Sequence, residues 1–392
     1  MVVPKLRFKE FNDEWTTISL KQILSFKNGI NANKDSYGRG IKYISVGDIL
    51  NNTFITYDKI KGLVDINKKI LNENSVEYGD IIFQRSSETF NDIGQSNVYL
   101  DKEKVATFGG FVIRGKKIGD YNPLFLNYLL KSPYNRRKII IKGAGAQHYN
   151  ISQEELEKIN INFTNKNEQN KIANLFSLLD KKIELQKQKI EALKIYKIGL
   201  LQKMYNSNYD HKIKMKDLII QKSVRNAKNE VDNVYSVSNK EGFILQSEQF
   251  KDRTVASEDT KNYKIIEKND FAYNPARINV GSIARMKQNV HGIISPMYIC
   301  FRCNQRIIPD YLEYFFESYQ FTYEMNKRLE GSVRMCLSYE SIINIPIELP
   351  SIEEQRKVSN LLNSIDSKKS QEKYKLEKLK DLKKGLLQKM FI

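Results

Sequence analysis

Gly199-Leu-Leu-Gln-Lys-Met-Tyr205 and Gly385-Leu-Leu-Gln-Lys-Met-Phe391 are one heptapeptide written twice. The copies lie 186 positions apart, 199 against 385, and the match continues ungapped back to Glu168-Gln169 and Glu354-Gln355. Asp180/Asp366, Glu191/Glu377 and Leu193-Lys194/Leu379-Lys380 recur inside it. The chain is a tandem duplication, and its function must call for two copies.

The repeated segments read as long helices. In the first, Phe176, Ile183, Ile190, Lys197 and Met204 fall at a positions, with Ile172, Leu179, Gln186, Leu193 and Leu200 at d. In the second, the a set is Leu362, Lys369, Leu376, Lys383 and Met390, and the d set is Val358, Ile365, Glu372, Leu379 and Leu386. Mostly apolar a and d positions flanked by Lys and Glu predict a coiled coil. The packing residues are then Phe176, Leu179, Ile183, Ile190, Leu193, Leu200, Leu362, Ile365, Leu376, Leu379 and Leu386. A two-fold relation between the halves makes the pair antiparallel. Centring the seam on its midpoint sets Gln186 near Lys369 and Ile183 near Glu372, polar meetings that cost stability but fix register.

The stretches before each helix also repeat. In the first, Phe8, Phe11 and Trp15 anchor an N-terminal arm, and Thr16–Leu24 reads as a short helix or turn. Ile41–Val46, Asp80–Gln84, Val98–Leu100 and Gly110–Arg114 read as strands between turn signals. Pro123 opens a helix at N1, Ser152 caps a shorter one, and Ile159–Phe163 closes the domain as a strand. The second copy matches Tyr43–Val46 with Val234–Val237, Tyr78–Phe83 with Lys268–Tyr273, Pro123–Leu130 with Pro309–Phe316, and Gly145–His148 with Gly331–Arg334. The loops between these landmarks differ much more. The predicted fold class is α+β: two similar α/β domains separated by two long helices in an antiparallel coiled coil, pseudo-two-fold symmetric. The boundaries are 1–165, 166–207, 208–350 and 351–392.

With 392 residues and a net charge of +18, the chain is long enough for two or three domains and calls for a polyanionic partner. Its Lys, Asn and Ile richness, which an AT-rich genome also writes, tempers that signal. The N-terminus carries no apolar run fit for a signal peptide, and no stretch nears the roughly 20 apolar residues of a membrane span. Three cysteines make no disulfide framework. The expectation is a soluble cytoplasmic protein without a membrane partner.

Motifs that suggest catalysis fail on their details. Gly110-Phe-Val-Ile-Arg-Gly-Lys-Lys117 approaches a P-loop, but Lys117 replaces the magnesium-holding hydroxyl and Phe-Val-Ile reads as strand. Tyr273-Asn-Pro-Ala-Arg277 lacks the second proline and the aromatic of the amino-methyltransferase motif. Cys300-Phe-Arg-Cys303 has no second pair, and on a strand its thiols face opposite ways. No catalytic residue, metal or cofactor is expected.

What remains is a set of polar loops: Asn28–Gly40, Gln84–Gln95 and Gly143–Asn150 in copy one, and Gln221–Asn226, Asn274–Arg285 and Gly331–Leu337 in copy two. Arg, Asn and Gln pair with guanine and adenine edges, and Gly lets backbone approach phosphate. Each such residue alone suits a solvated loop as well; their clustering on equivalent loops raises the set. The candidate DNA-contacting residues are Arg39, Arg85, Ser86, Ser87, Gln147, His148, Tyr149, Asn150, Arg225, Asn274, Arg277, Asn279, Arg285 and Arg334.

Two variable domains alternating with two near-identical helices, each opening on Glu-Gln-x-Lys-Ile/Val and ending in Gly-Leu-Leu-Gln-Lys-Met-Tyr/Phe, resemble the specificity subunit of a type I restriction-modification system over essentially the whole chain. The resemblance implies a non-catalytic protein whose two target recognition domains each read half of a bipartite site in double-stranded DNA. It also implies that the helices set the spacer and dock two methyltransferase subunits, which restriction-translocase subunits join. A helix of about 37 residues spans roughly 55 Å, or about 16 base pairs of B-DNA. The alternatives are a specificity fragment of a fused restriction-methylation enzyme, opposed by the start at Met1 and the complete second repeat, and a coiled-coil adaptor binding RNA or an acidic protein.

Overall fold

A computed structural model describes residues 3–145, 148–205, 212–239, 241–249, 259–331 and 334–391. The chain forms two compact units. The first comprises Met1–Lys187 with Tyr374–Ile392, and the second Gln188–Lys373. Each long helix, Lys166–Tyr205 and Ile352–Met390, therefore contributes one part to each unit.

The two units are built on one plan. In the first, a four-stranded antiparallel sheet runs in the order Leu24–Asn28, Val112–Lys117, Ile81–Gln84, Ser96–Val98. In the second the order is Ile219–Gln221, Ile299–Cys303, Asp270–Tyr273, Ile283–Arg285. A second sheet in each unit contains one parallel pair, which starts at Tyr43↔Thr107 in one and Val234↔Ile293 in the other. Tyr43 and Val234 are positions that the sequence match aligned. The near-P-loop segment is a turn at Gly110-Phe111 followed by the central strand Val112–Lys117. On Ile299–Cys303, Cys300 packs into one apolar cluster and Cys303 against the other, as alternation requires. Burial pushes both thiols up to about 12.

Landmarks that survive the duplication fix backbone. Gly79 and Asn269 both hold positive φ, +94° and +69°, in the turn before the central strand. Gly and Asn are the residues that tolerate this conformation. The carboxylate that follows each, Asp80 or Asp270, accepts from the backbone N–H of Glu77 or Glu267 and closes the turn. Gly145 and Gly331 adopt φ of +136° and +119° and lie so close to the carbonyls of His148 and Arg334 that a Cβ would collide.

Helix starts follow the expected signals. Asn122 accepts from Phe125 N–H ahead of Pro123–Lys131, and Ser152 accepts from Glu155 N–H ahead of Gln153–Glu157. One local reading is corrected. Thr16–Leu24 is not a helix but a strand, Thr16–Ser19, a single 3-10 turn, and the start of the next strand. Thr16–Ser19 pairs with Asn160–Phe163, and its β-branched residues suit that edge.

Within each unit the helix segments run antiparallel. In the first, Phe176 stacks on Phe391 and Asp180 pairs with Lys383. In the second, Lys189 reaches Glu372 and Lys197 reaches Asp366. All eleven packing residues are buried or half-buried, whereas Leu178, Leu185 and Ile195 outside the a/d stripe are exposed. The register differs from the expected one: Glu372 pairs six residues beyond Ile183, and the other ion pairs are displaced by about one heptad in the same direction. The helix ends, rather than the seam's midpoint, set it. Phe391 is buried against Trp15, Phe125 and Phe176, and Tyr205 against Tyr311 and Phe315. Each such aromatic gives about 1.5–3 kcal/mol of burial, more than a polar seam contact. The aromatic that closes each heptapeptide is thus a core residue of its unit.

Candidate nucleic-acid interface

In the first unit, two of the three predicted loops meet. Ser86-Ser87 forms an antiparallel ladder with Tyr149-Asn150, and the Ser86 hydroxyl donates to Asn150 Oδ1. Above this ladder lies a cavity of about 780 Å³ lined by Ser86, Ser87, His148 and Asn150, together with Gln84, Glu88 and Asp92. Tyr149 packs edge-on against Phe90 beside it. Arg85 is anchored: its backbone N–H donates to Phe111 O and its guanidinium to Gly110 O at 3.3 Å. Arg39 stands apart on the strand Tyr37–Ile44, exposed and paired with Asp65 at 3.2 Å. Gln147 lies outside the described residues.

Sequence reasoning missed Phe111, which is 69 % exposed and lines the same cavity with Leu50. Phe111 reads as strand interior, but the strand begins at Val112 and Phe111 belongs to the turn after Gly109-Gly110. The glycine pair was the available signal.

The second unit assembles its loops differently. Asn274 and Arg277 line a smaller cavity of about 150 Å³ with Ser236, Ser238, Gln249 and Ser282. Asn274 Oδ1 accepts from Ala276 N–H and shapes the loop. Arg277 and Asn279 are exposed. Leu337 N–H donates to Pro275 O, and Tyr273 donates to Leu337 O, which ties the loop bearing exposed Arg334 to this edge. Arg225 is exposed at an isolated bridge with Lys264, its guanidinium on Asn262 Oδ1.

Arg285 is spent internally. Its guanidinium donates to Asp310 at 2.9 and 3.0 Å, to Glu313 at 3.0 Å and to Asn269, and its side chain is 8 % exposed. Burial works against its charge, and the Asp310 and Glu313 carboxylates more than offset that, so its pKa rises. Lys222, in the first polar loop, is likewise neutralised by Glu267 and Asp270. Lys222 and then Arg302, donating to Glu267, pull that carboxyl down to about 2. Both edges carry hydroxyls, but they differ otherwise: the first adds Glu88, Asp92, His148 and the exposed Phe111, and the second adds Arg277.

Residues 12–194 match the family of type I restriction modification DNA specificity domains. Over 416 aligned residues the chain is 25 % identical to a putative type I restriction enzyme MjaX specificity subunit of Methanocaldococcus jannaschii, covering 96 % of this chain and 93 % of that one. Its fold is that of the type I restriction-modification S subunit from M. genitalium, at a TM-score of 0.61 and 18 % identity, covering 100 % and 99 % of the two chains. A second solved structure, described for assembly and conformational transition of the type I R-M system, superposes at 0.59 and 12 % identity over 96 % of this chain and 97 % of that one. Residues 12–194 thus carry a type I restriction modification DNA specificity domain, and over nearly its full length the chain is similar to a type I specificity subunit. No described helix is long and apolar enough to cross a membrane.

Proposed function

We propose that residues 1–165 and 208–350 are two target recognition domains, each reading one half of an asymmetric bipartite site in double-stranded DNA. In this reading residues 166–207 and 351–392 set the spacer and dock two methyltransferase subunits. The observation that carries it is the pairing of one framework with two chemically different loop edges. A shared backbone keeps the reading loops in equivalent places, and different side chains there select different bases. Ser86, Ser87, His148, Tyr149 and Asn150 would read for the first domain, with Phe111 placed to touch a thymine methyl. Asn274, Arg277, Asn279 and Arg334 would read for the second, with Arg39, Arg85 and Arg225 toward phosphates. Arg285 contributes rigidity to its edge.

The chain itself is non-catalytic in this reading and acts in the cytoplasm; methylation and ATP-dependent cleavage come from partner subunits. The exposed apolar residues of the long helices, among them Leu178, Leu185, Ile195, Tyr196, Ile198 and Leu382, support a protein-docking role. The test is exchange of residues 208–350 for another such domain, followed by mapping of methylated positions in cells that also express the methyltransferase. One half-site should change and the other persist. A change in both, or in neither, rejects the assignment.

A further inference from the structure

The duplication supplies an internal control for one cluster near the start of the helix pair. In the second unit Lys197 is held between two carboxylates, Asp366 at 2.6 Å and Glu317 at 2.6 Å, while Tyr314 donates to Asp366. The equivalent residues of the first unit are Lys383, Asp180 and Tyr128, with the same contacts: Lys383 pairs with Asp180, and Tyr128 donates to it at 2.8 Å. The position of Glu317, however, is Lys131. Its ammonium donates to Thr53 O and Asn97 Oδ1, at 3.1 and 3.2 Å, and so finds dipoles but no counter-charge. A carboxylate has become an ammonium, and Asp180 alone offsets two cations.

The surroundings deepen the imbalance. Lys131, Lys383 and Asp180 line a groove of about 430 Å³ together with Lys187, Lys380 and Lys384. The residue matching Lys384 in the second unit is Ile198. Lys187 and Lys380 have carboxylates on their own helices, Glu184 at 3.7 Å and Glu377 at 2.8 Å. Five lysines and one aspartate therefore face a concavity that contains no arginine. Lysine ammoniums bind phosphate groups as point charges, and several of them around one concavity attract a compact oxyanion.

We propose that this groove of the first unit is a phosphate-binding site, with Lys131, Lys383 and Lys384 as its principal ligands, and that the second unit has closed the equivalent site with Glu317. Burial first, and then repulsion from Lys383, pulls Lys131 down to about 7, with Asp180 acting in the opposite direction. An incoming phosphate would favour the charged form, so binding near neutral pH takes up a proton. The ligand is a phosphate group either free in solution or on a DNA backbone.

The experiment is calorimetric titration of the full chain with inorganic phosphate at pH 7.5, in two buffers of different ionisation enthalpy. Saturable binding with proton uptake is expected, weakened at least tenfold by Lys131→Glu and several-fold by Lys384→Ile, which alters an exposed position. In parallel, the salt dependence of DNA binding is compared for the wild type and Lys384→Ile in the presence of the methyltransferase. A slope reduced by about one charge identifies a backbone phosphate as the source; an unchanged slope with intact phosphate binding identifies the free ion. No saturable phosphate binding together with an unchanged slope, or equal affinity in wild type and both variants, overturns the proposal. The phosphate arm is independent of the DNA reading: a chain that binds phosphate but no specific DNA sinks that reading and leaves this one standing.

Discussion

The two openings of the repeated helix, Glu168-Gln169 and Glu354-Gln355, have identical sequences and half-identical roles. Gln169 accepts from Asn122 N–H and donates to Thr164 O; Gln355 accepts from Ile308 N–H and donates to Pro350 O. The glutamates diverge. Glu168 is fully buried under Arg7, which approaches at 2.7 and 2.8 Å, with Trp15 Nε1 and the Thr164 hydroxyl on the same carboxylate. Glu354 is exposed and only caps its own helix through Ser351. The duplication preserved what orders backbone and let the surroundings of identical side chains drift. Sequence identity between the halves therefore does not translate into equal energies.

The sharpest challenge to the shared framework is removal of the aromatic plugs. Phe391→Ala and Tyr205→Ala should each cost about 3–5 kcal/mol in urea unfolding, because each leaves a cavity among packed rings. A large loss for one and none for the other would break the equivalence of the two cores. Next, Glu168→Ala should cost about 3 kcal/mol or more by stranding the buried Arg7 charge. Glu354→Ala should cost at most about 1 kcal/mol, the value of a cap. Equal losses would contradict the contrast drawn above.

Arg285→Ala should cost about 1–3 kcal/mol in stability and leave the methylated sequence unchanged. Arg277→Ala should shift stability by less than about 0.5 kcal/mol but weaken DNA binding in a shift assay. Reversed outcomes would exchange their roles. The smallest effect concerns pH. Because the Lys131 ammonium has its pKa lowered from 10.5 to about 7 on folding, the unfolded chain binds more protons between those values. Stability from this group therefore rises with pH across that window. Phosphate-free thermal melts between pH 7 and 8 should show the rise in wild type and a flatter profile in Lys131→Met.

Much of the architecture was legible because it rests on local, periodic signals. The a/d stripe marked the helix faces that are buried, Pro123 and Ser152 marked helix starts, and the matched landmarks fell on equivalent turns and strands. Gly79 aligned with Asn269 is the clearest instance, since both residue types serve one backbone conformation. Register was not legible, because the docking of Phe391 and Tyr205 into cores built from distant residues overrides the seam pattern. Thr16–Leu24 was misread because its partner strand lies more than 140 residues away. At the candidate interface, sequence marked polar loops, two of which pair in the first unit, but not the partners of their side chains. Whether an arginine is free, as Arg277 is exposed, or bound, as Arg285 is by Asp310 and Glu313, depends on carboxylates contributed by another element. The exchange of Glu317 for Lys131 was visible in the alignment but became meaningful only beside Lys383 and Asp180.

The burial of Phe391 against Phe125 has a consequence for how the protein is made. The core of the first unit includes a ring that leaves the ribosome 266 residues after the ring it touches (391 against 125). At translation rates of about 5–20 residues per second, that delay is on the order of ten to fifty seconds. During that time the nascent first unit has an unfilled aromatic socket lined by Trp15, Phe125 and Phe176. Chaperones that shelter exposed apolar surface would have a window in which to act, and a chain cut short by premature termination would keep its socket open. Folding of the first unit thus waits on the synthesis of residues at the far end of the second repeat.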